Sequence, residues 1–89
     1  SNAFYNRGYS KSELGKHEEA IKDYDQAIRI NPEYSNAFYN RGNAKSDLGK
    51  NEEAINDLDK AIKLEPHNNE FKNLKKKLEK EIIKRVNDY

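Results

Sequence analysis

Cysteine is absent from the 89 residues, so disulfide bonds are excluded as a source of stability. A chain this short normally needs disulfides, bound metal, self-association or very regular helix packing to stay folded. The only histidines, His17 and His67, lie far apart, and neither has a second ligand at zinc-binding spacing. We therefore expect no structural metal and no cofactor.

Long apolar runs are also missing, and apolar residues make up only 34% of the chain. No stretch approaches the ~18 apolar residues of a membrane span, and the N-terminus lacks a signal-peptide pattern. The 17 basic and 16 acidic side chains nearly cancel, so net charge does not oppose folding. The sequence predicts a soluble chain, which we expect to be intracellular.

A repeat of 34 residues organises the chain. Residues 1–34 and 35–68 align without a gap and are identical at 22 positions. A fixed period of this size indicates a repeat architecture, here a few units of, or resembling, a longer array. Ser1-Asn2-Ala3 recurs at 35–37, so these three residues are either native or a remnant of cloning.

Each repeat predicts two helices, the first over 2–14 and the second over 18–30. Gly15 and Gly49 follow the first helices, where a helix stop favours a residue that tolerates positive φ. Pro32 and Pro66 follow the second helices, which cannot continue through them. With one further helix over 69–89, the sequence predicts an all-α fold of five helices.

Apolar stripes at helical spacing predict the core. Gly8 and Gly42 stand within the stripes of the first helices, so we expect two helix backbones to approach closely there. The remaining stripe residues of the repeats are Phe4, Leu14, Ala20, Ile21, Tyr24, Ala27 and Ile28, with Phe38, Leu48, Ala54, Ile55, Leu58, Ala61 and Ile62.

The last segment has an apolar face and a charged face. Phe71, Leu74, Leu78, Ile82 and Tyr89 lie on or near one helical stripe, opposite a mixture of basic and acidic residues. A stack of repeats needs an end that is apolar inward and polar outward. We expect residues 69–89 to be a C-terminal capping helix.

Phe4, Gly8, Ala20, Ala27 and Pro32, with their counterparts one period later, resemble the tetratricopeptide repeat (TPR) family. The resemblance implies an α-solenoid of antiparallel helix pairs wound into a right-handed superhelix. It also implies a non-catalytic scaffold whose concave groove, lined by the first helix of each pair, binds an extended peptide or a partner helix of another protein.

The groove face of the first helices is rich in tyrosine and asparagine. Stacked repeats would place Tyr5 beside Tyr39 and Asn6 beside Asn40, which suits peptide binding. The alternative is that the tyrosines only cover neighbouring helices and the asparagines are solvated. The candidate peptide-binding residues are Tyr5, Asn6, Tyr9, Glu13, Asn36, Tyr39, Asn40, Asn43 and Asp47.

The chain departs from the family pattern at several positions. A subclass of the family binds acidic chaperone tails through lysine, asparagine and arginine, of which only Asn40 and Asn43 lie on or next to suitable positions. We therefore expect no tight binding of such tails, and Glu13 and Asp47 weakly favour a basic or neutral peptide. Basic residues replace the usual apolar ones at Arg7, Lys11, Arg41 and Lys45, which predicts a thinner core, with their stems partly buried.

Other classes of function have less support. The serines have no evident His and Asp partners, and His17-Glu18-Glu19 lacks the second histidine of a metalloprotease helix, so we expect no catalysis. Ile82, Ile83 and Val86 extend past the preceding helix pair, so self-association through the last helix, or helix exchange, is the alternative function. Lys75-Lys76-Lys77 only weakly suggests nucleic-acid contact, because acids are interleaved.

Overall fold

A computed structural model describes residues 2–87, and within that range the chain forms five helices and no strand. The predicted all-α helical-repeat fold is confirmed. Relative to the prediction, the first helix ends one residue earlier and the second begins one residue earlier. Ser1 and Tyr89 lie outside the described residues. The helices are α1 (Asn2–Glu13), α2 (His17–Ile30), α3 (Ser35–Asp47), α4 (Asn51–Leu64) and α5 (Asn69–Asn87).

Two glycines turn the chain between the helices of each pair. Gly15 has φ +78° and Gly49 has φ +81°, a left-handed conformation that side chains with a Cβ disfavour. Nothing lies within 4 Å of a Cβ placed at either position. The requirement for glycine there is therefore conformational, as predicted, and the short turns make the paired helices antiparallel.

Gly8 and Gly42 serve a different purpose, because they let the helices of a pair pack closely. A Cβ at Gly42 would lie 3.2 Å from the carbonyl oxygen of Ala54 on α4. A Cβ at Gly8 would lie 3.2 Å from the carbonyl oxygen of Ala20 on α2 and 2.9 Å from Cε1 of Tyr24. The predicted close approach is confirmed at both sites.

Small residues and a few large ones form the core. The alanines at 20, 27, 54 and 61 are fully buried, and Leu58 and Tyr24 fill the space beside them. Leu14 was predicted to be in the core, but this is wrong: its side chain is 72% exposed. It lies in the turn, one residue past the end of α1, whereas its counterpart Leu48 at the same place past α3 is half-buried.

The fifth helix packs on the second repeat through its first half. Phe71 is buried against Phe38 and Ala61, and Leu78 is buried against Ala54 and Leu58. Further along α5, Ile83 and Val86 are mostly exposed. Whether α5 is a cap, as the sequence predicts, stays a prediction. No helix within residues 2–87 has both the length and the apolar composition needed to cross a bilayer.

Candidate functional site

A cavity of about 290 Å³ opens between the two first helices, α1 and α3, and the second helix α2 forms its floor. Five of the nine candidate residues predicted from the sequence line this cavity. The lining residues are Tyr9, Ser12 and Glu13 from α1, Tyr24 from α2, and Asn40, Asn43 and Asp47 from α3.

The other four candidates lie outside the lining. Asn6 and Asn36 are exposed on α1 and α3. Tyr39 is half-buried and its ring packs against Phe71, 4.9 Å away between ring centroids. Tyr39 therefore contributes to the contact with α5, and Tyr5 supports the cavity from its edge through Asn40.

Tyr5 is joined to Asn40 rather than to Tyr39. The Asn40 side-chain amide donates a hydrogen bond of 2.7 Å from Nδ2 to the Tyr5 hydroxyl oxygen. The Tyr5 ring also stacks on Tyr34, with centroids 4.9 Å apart. Burial raises the pKa of Tyr5. We expected Tyr5 beside Tyr39, but the hydroxyl of Tyr5 contacts Asn40, while the ring of Tyr39 packs against Phe71.

Tyr24 forms the floor of the cavity. Its side chain is only 1% exposed, yet its hydroxyl makes no hydrogen bond with any residue in 2–87. Burial is the main cause that raises its pKa, and the negative charges of Glu13 and Asp23 add to the shift. The hydroxyl is therefore neutral at physiological pH and remains available as a donor or acceptor to a bound group.

Two buried carboxylates lie beneath the first helices, and sequence reasoning did not identify them. Arg7 donates hydrogen bonds of 2.9 and 2.6 Å to Asp23, and Arg41 donates bonds of the same lengths to Asp57. The signal was present in the sequence, since both repeats carry Asp at this place and Arg at the seventh position.

Lysines complete these clusters. Lys11 Nζ lies 3.4 Å from Asp23, and Lys45 Nζ lies 3.1 Å from Asp57. Arg41 also pairs with Asp25 at 2.7 Å. The four basic departures from the family pattern do more than thin the core, because they neutralise two carboxylates that burial would otherwise make costly.

A second cavity, of about 560 Å³, lies away from the predicted residues. Its walls combine apolar and basic side chains, and Arg41 and Lys60 both lie over the Phe38 ring, 5.4 and 5.6 Å from its centroid. None of the nine candidates contributes to it. The lining residues are Ile28, Pro32, Phe38, Arg41, Lys60, Lys63 and Leu64.

Neither histidine lies in a group of potential metal ligands within the part of the chain that the structure describes. Within residues 2–87 no three His, Cys, Asp or Glu side chains are grouped so that they could hold a metal ion. His17 begins α2 and lies 3.6 Å, Nε2 to Oδ2, from Asp47 across the two repeats. His67 is exposed in the turn before α5.

Family models match most of the two repeats. A TPR repeat model matches residues 8–49, and a tetratricopeptide repeat model matches residues 35–68. A search of curated proteins gave no significant match.

Several solved structures are similar to this chain. The first TPR domain of human RPAP3 has a TM-score of 0.89 and 32% identity, over 97% of this chain and 68% of that one. The first TPR of Spaghetti (RPAP3), bound to the HSP90 peptide SRMEEVD, has a TM-score of 0.87 and 32% identity, over 90% of this chain and 64% of that one.

The second TPR domain of human RPAP3, in complex with the HSP70 peptide SGPTIEEVD, has a TM-score of 0.82 and 38% identity. That match covers 85% of this chain and 63% of the other. The chain described here thus spans somewhat less than two thirds of the length of both peptide-bound domains.

Proposed function

The chain belongs to the tetratricopeptide repeat family, and we propose that it is a non-catalytic interaction scaffold that binds an extended peptide between α1 and α3. The observation that carries the proposal is the cavity lined jointly by these two helices. Two similar structures hold peptides of partner proteins, which supports the same kind of ligand here.

The chemistry of the lining suits a peptide backbone. The side chains of Asn40 and Asn43 offer both donors and acceptors to backbone groups. Tyr9, which is half exposed at the rim, adds apolar area and one hydroxyl. We assign the direct contacts to Tyr9, Glu13, Asn40, Asn43 and Asp47.

The remaining candidates have secondary roles in this proposal. Tyr5 positions Asn40 through their hydrogen bond. Asn6 and Asn36 extend the exposed amide surface toward the N-terminal ends of α1 and α3. Tyr39 anchors α5 through Phe71, and we propose that α5 closes the stack as a cap.

The test is peptide capture with a groove variant and a matched control. Tyr9→Ala with Asn43→Ala removes one ring and one amide from the cavity. Ile30→Ala with Asn56→Ala removes one large exposed side chain and one exposed amide from α2 and α4, outside the cavity. Both variants should keep the helicity of the parent by circular dichroism, because none of the four side chains is fully buried.

Wild type and control should retain the same peptides from an immobilised peptide library, and the groove variant should retain none of them. If the groove variant captures the same peptides as wild type, the cavity between α1 and α3 is not the binding site.

Self-association through α5 is the second candidate function. Ile83 is 58% exposed and Val86 is 67% exposed near the end of this helix, beyond the contacts with α4. Exposed apolar groups that lie close together mark contact surfaces. Light scattering over a range of concentrations distinguishes the two functions, since a constant monomer mass removes this candidate without affecting peptide capture.

A further inference from the structure

We infer that the peptide bound in this cavity is basic, and that a lysine or arginine side chain of the peptide pairs with Glu13 and Asp47. The inference rests on the proposed function and adds the chemical class of the partner. Glu13 projects from α1 and Asp47 from α3, so the two carboxylates reach one cavity from the two repeats.

No basic residue lines the cavity, although the chain carries 17 lysines and arginines. The basic residues nearest in sequence are held elsewhere. Lys11 pairs with Glu19 and Asp23 on α2, and Lys45 pairs with Asp57 on α4. Glu13 and Asp47 therefore have no lysine or arginine partner among the described residues, and the basic contact of Asp47 is with His17, whose Nε2 lies 3.6 Å from Oδ2.

The floor and rim of the cavity also suit a cation. The Tyr24 side chain is 1% exposed and borders the cavity, and its hydroxyl has no hydrogen bond to another described residue. An ammonium or guanidinium group brings only donors, which the Tyr24 oxygen, the amide oxygens and the carboxylates can accept. The Tyr9 ring at the rim offers a face for a cation–π contact.

The acidic character continues along the repeat. Asp47 follows Glu13 by one period of 34 residues, and Glu81 follows Asp47 by another. Glu81 is exposed on α5. The positions one and two periods after Glu13 therefore also carry an acid, on α3 and on α5.

The peptides held by the similar structures have the opposite charge. SRMEEVD and SGPTIEEVD both end in Glu-Glu-Val-Asp, which carries four carboxylates: those of two glutamates, one aspartate and the C-terminus. Such a tail placed at Glu13 and Asp47 would bring like charges together, which suppresses binding. The inferred partner is thus also a peptide, but of opposite charge to the peptides of these relatives.

In the experiment, the wild-type protein selects peptides from a displayed library of random peptides that have the same length as SRMEEVD. The affinity of the protein for each selected peptide is then measured. We expect the selected peptides to be enriched in lysine or arginine. Changing that residue to glutamine should weaken binding about 10-fold, and SRMEEVD itself should bind more weakly than the selected peptides.

Substitutions that remove the charge of a carboxylate but keep its shape test the contribution of the protein to the charge contact. Glu13→Gln with Asp47→Asn should also weaken binding about 10-fold. Glu33→Gln with Glu70→Gln removes the same charge at the opposite ends of the helices, where both residues are exposed, and should leave affinity unchanged. Should the first double variant misfold by circular dichroism, the glutamine change in the peptide still measures the charge contact with wild-type protein.

The outcomes separate this inference from the proposed function. If acidic or neutral peptides are selected, and Tyr9→Ala with Asn43→Ala abolishes their binding, the inference is overturned and the proposed function stands. Equal loss of affinity in the groove and control charge variants also overturns it. If no peptide of any charge is selected, both are overturned.

Discussion

Arg41 holds the buried carboxylate of Asp57 with two hydrogen bonds, Nε to Oδ2 at 2.9 Å and Nη2 to Oδ1 at 2.6 Å. Arg7 and Asp23 repeat this geometry in the first helix pair. The two pairs differ in solvent access, since the Arg7 side chain is 59% exposed and that of Arg41 is 16% exposed. Because the two pairs have the same hydrogen-bond geometry but different exposure of the arginine, comparing them measures how burial of the arginine changes the contribution of the pair to stability.

Asp57→Ala should lower the free energy of unfolding by about 3 kcal/mol, because the half-buried Arg41 loses its main partner. Asp23→Ala should cost less, because water can solvate the exposed Arg7 once its partner is gone. Urea unfolding followed by circular dichroism measures both. Equal losses of unfolding free energy in the two variants would show that the exposure of the arginine does not determine how much the pair contributes to stability.

Asp23 also predicts an acid limit to stability. The hydrogen bonds from Arg7 lower the pKa of Asp23 below its ordinary value of 3.8. The unfolded chain therefore binds more protons at low pH, so this contribution is present above about pH 4 and is lost as pH falls through the folded-state pKa.

Thermal melts between about pH 5 and pH 2 should show this loss. They should also show a shallower decline in Asp23→Asn, which no longer titrates. Glu65, whose pKa is lowered chiefly by the hydrogen bond from Ser35, should leave part of the decline in place. A variant that declines as steeply as wild type would mean that Asp23 is not a source of the acid sensitivity.

Much of the fold followed from the period of the sequence. Alanine, glycine and proline recur every 34 residues, and their positions predicted four helices, two glycine turns and two close helix contacts. The fifth helix was predicted from the apolar stripe of residues 69–89. These features depend on local conformation and on residue size, which a single sequence displays directly. Leu14 was misplaced because the repeat makes it equivalent to Leu48, which is half-buried, and equivalence in sequence does not show that only one of the two is covered.

The side-chain contacts between helices were harder to predict. Tyr5 meets Asn40, and Arg41 meets both Asp57 and Asp25, because these contacts depend on how far one helix is shifted along the next. The period sets which residues are equivalent, but it does not set that shift. The candidate list therefore named five residues that line the cavity and missed Ser12 and Tyr24.

Gly42→Leu should destabilise the second helix pair. A leucine side chain would be forced between α3 and α4, where even a Cβ lies 3.2 Å from the Ala54 carbonyl oxygen. Overpacking of this kind costs about 1 to 3 kcal/mol. Asn56→Leu, which adds the same side chain at an exposed site on α4, should leave the melting temperature nearly unchanged. Equal melting temperatures for Gly42→Leu and wild type would refute the close contact.

Phe71→Ala tests the proposed role of α5 as a cap. Phe71 is buried against Phe38 and Ala61, so its truncation should cost about 3 kcal/mol. Ile83→Ala on the exposed part of α5 should change stability by less than about 0.5 kcal/mol. Thermal unfolding compares the two variants. If they are equally stable, α5 does not stabilise the repeats through its first half.

The hydrogen bond from Asn40 to Tyr5 crosses between the two repeats, so it should couple their stabilities. Tyr5→Phe removes only the acceptor oxygen and should lower the free energy of unfolding by about 1 kcal/mol. Asn40→Ala removes the donor, and the double variant should cost less than the sum of the two single variants by about 1 kcal/mol. Simple additivity in this double-mutant cycle would mean that the two side chains do not interact in solution. The cycle needs no bound peptide, so it measures how much the contact beside the cavity stabilises the fold, independently of whether the cavity binds a peptide.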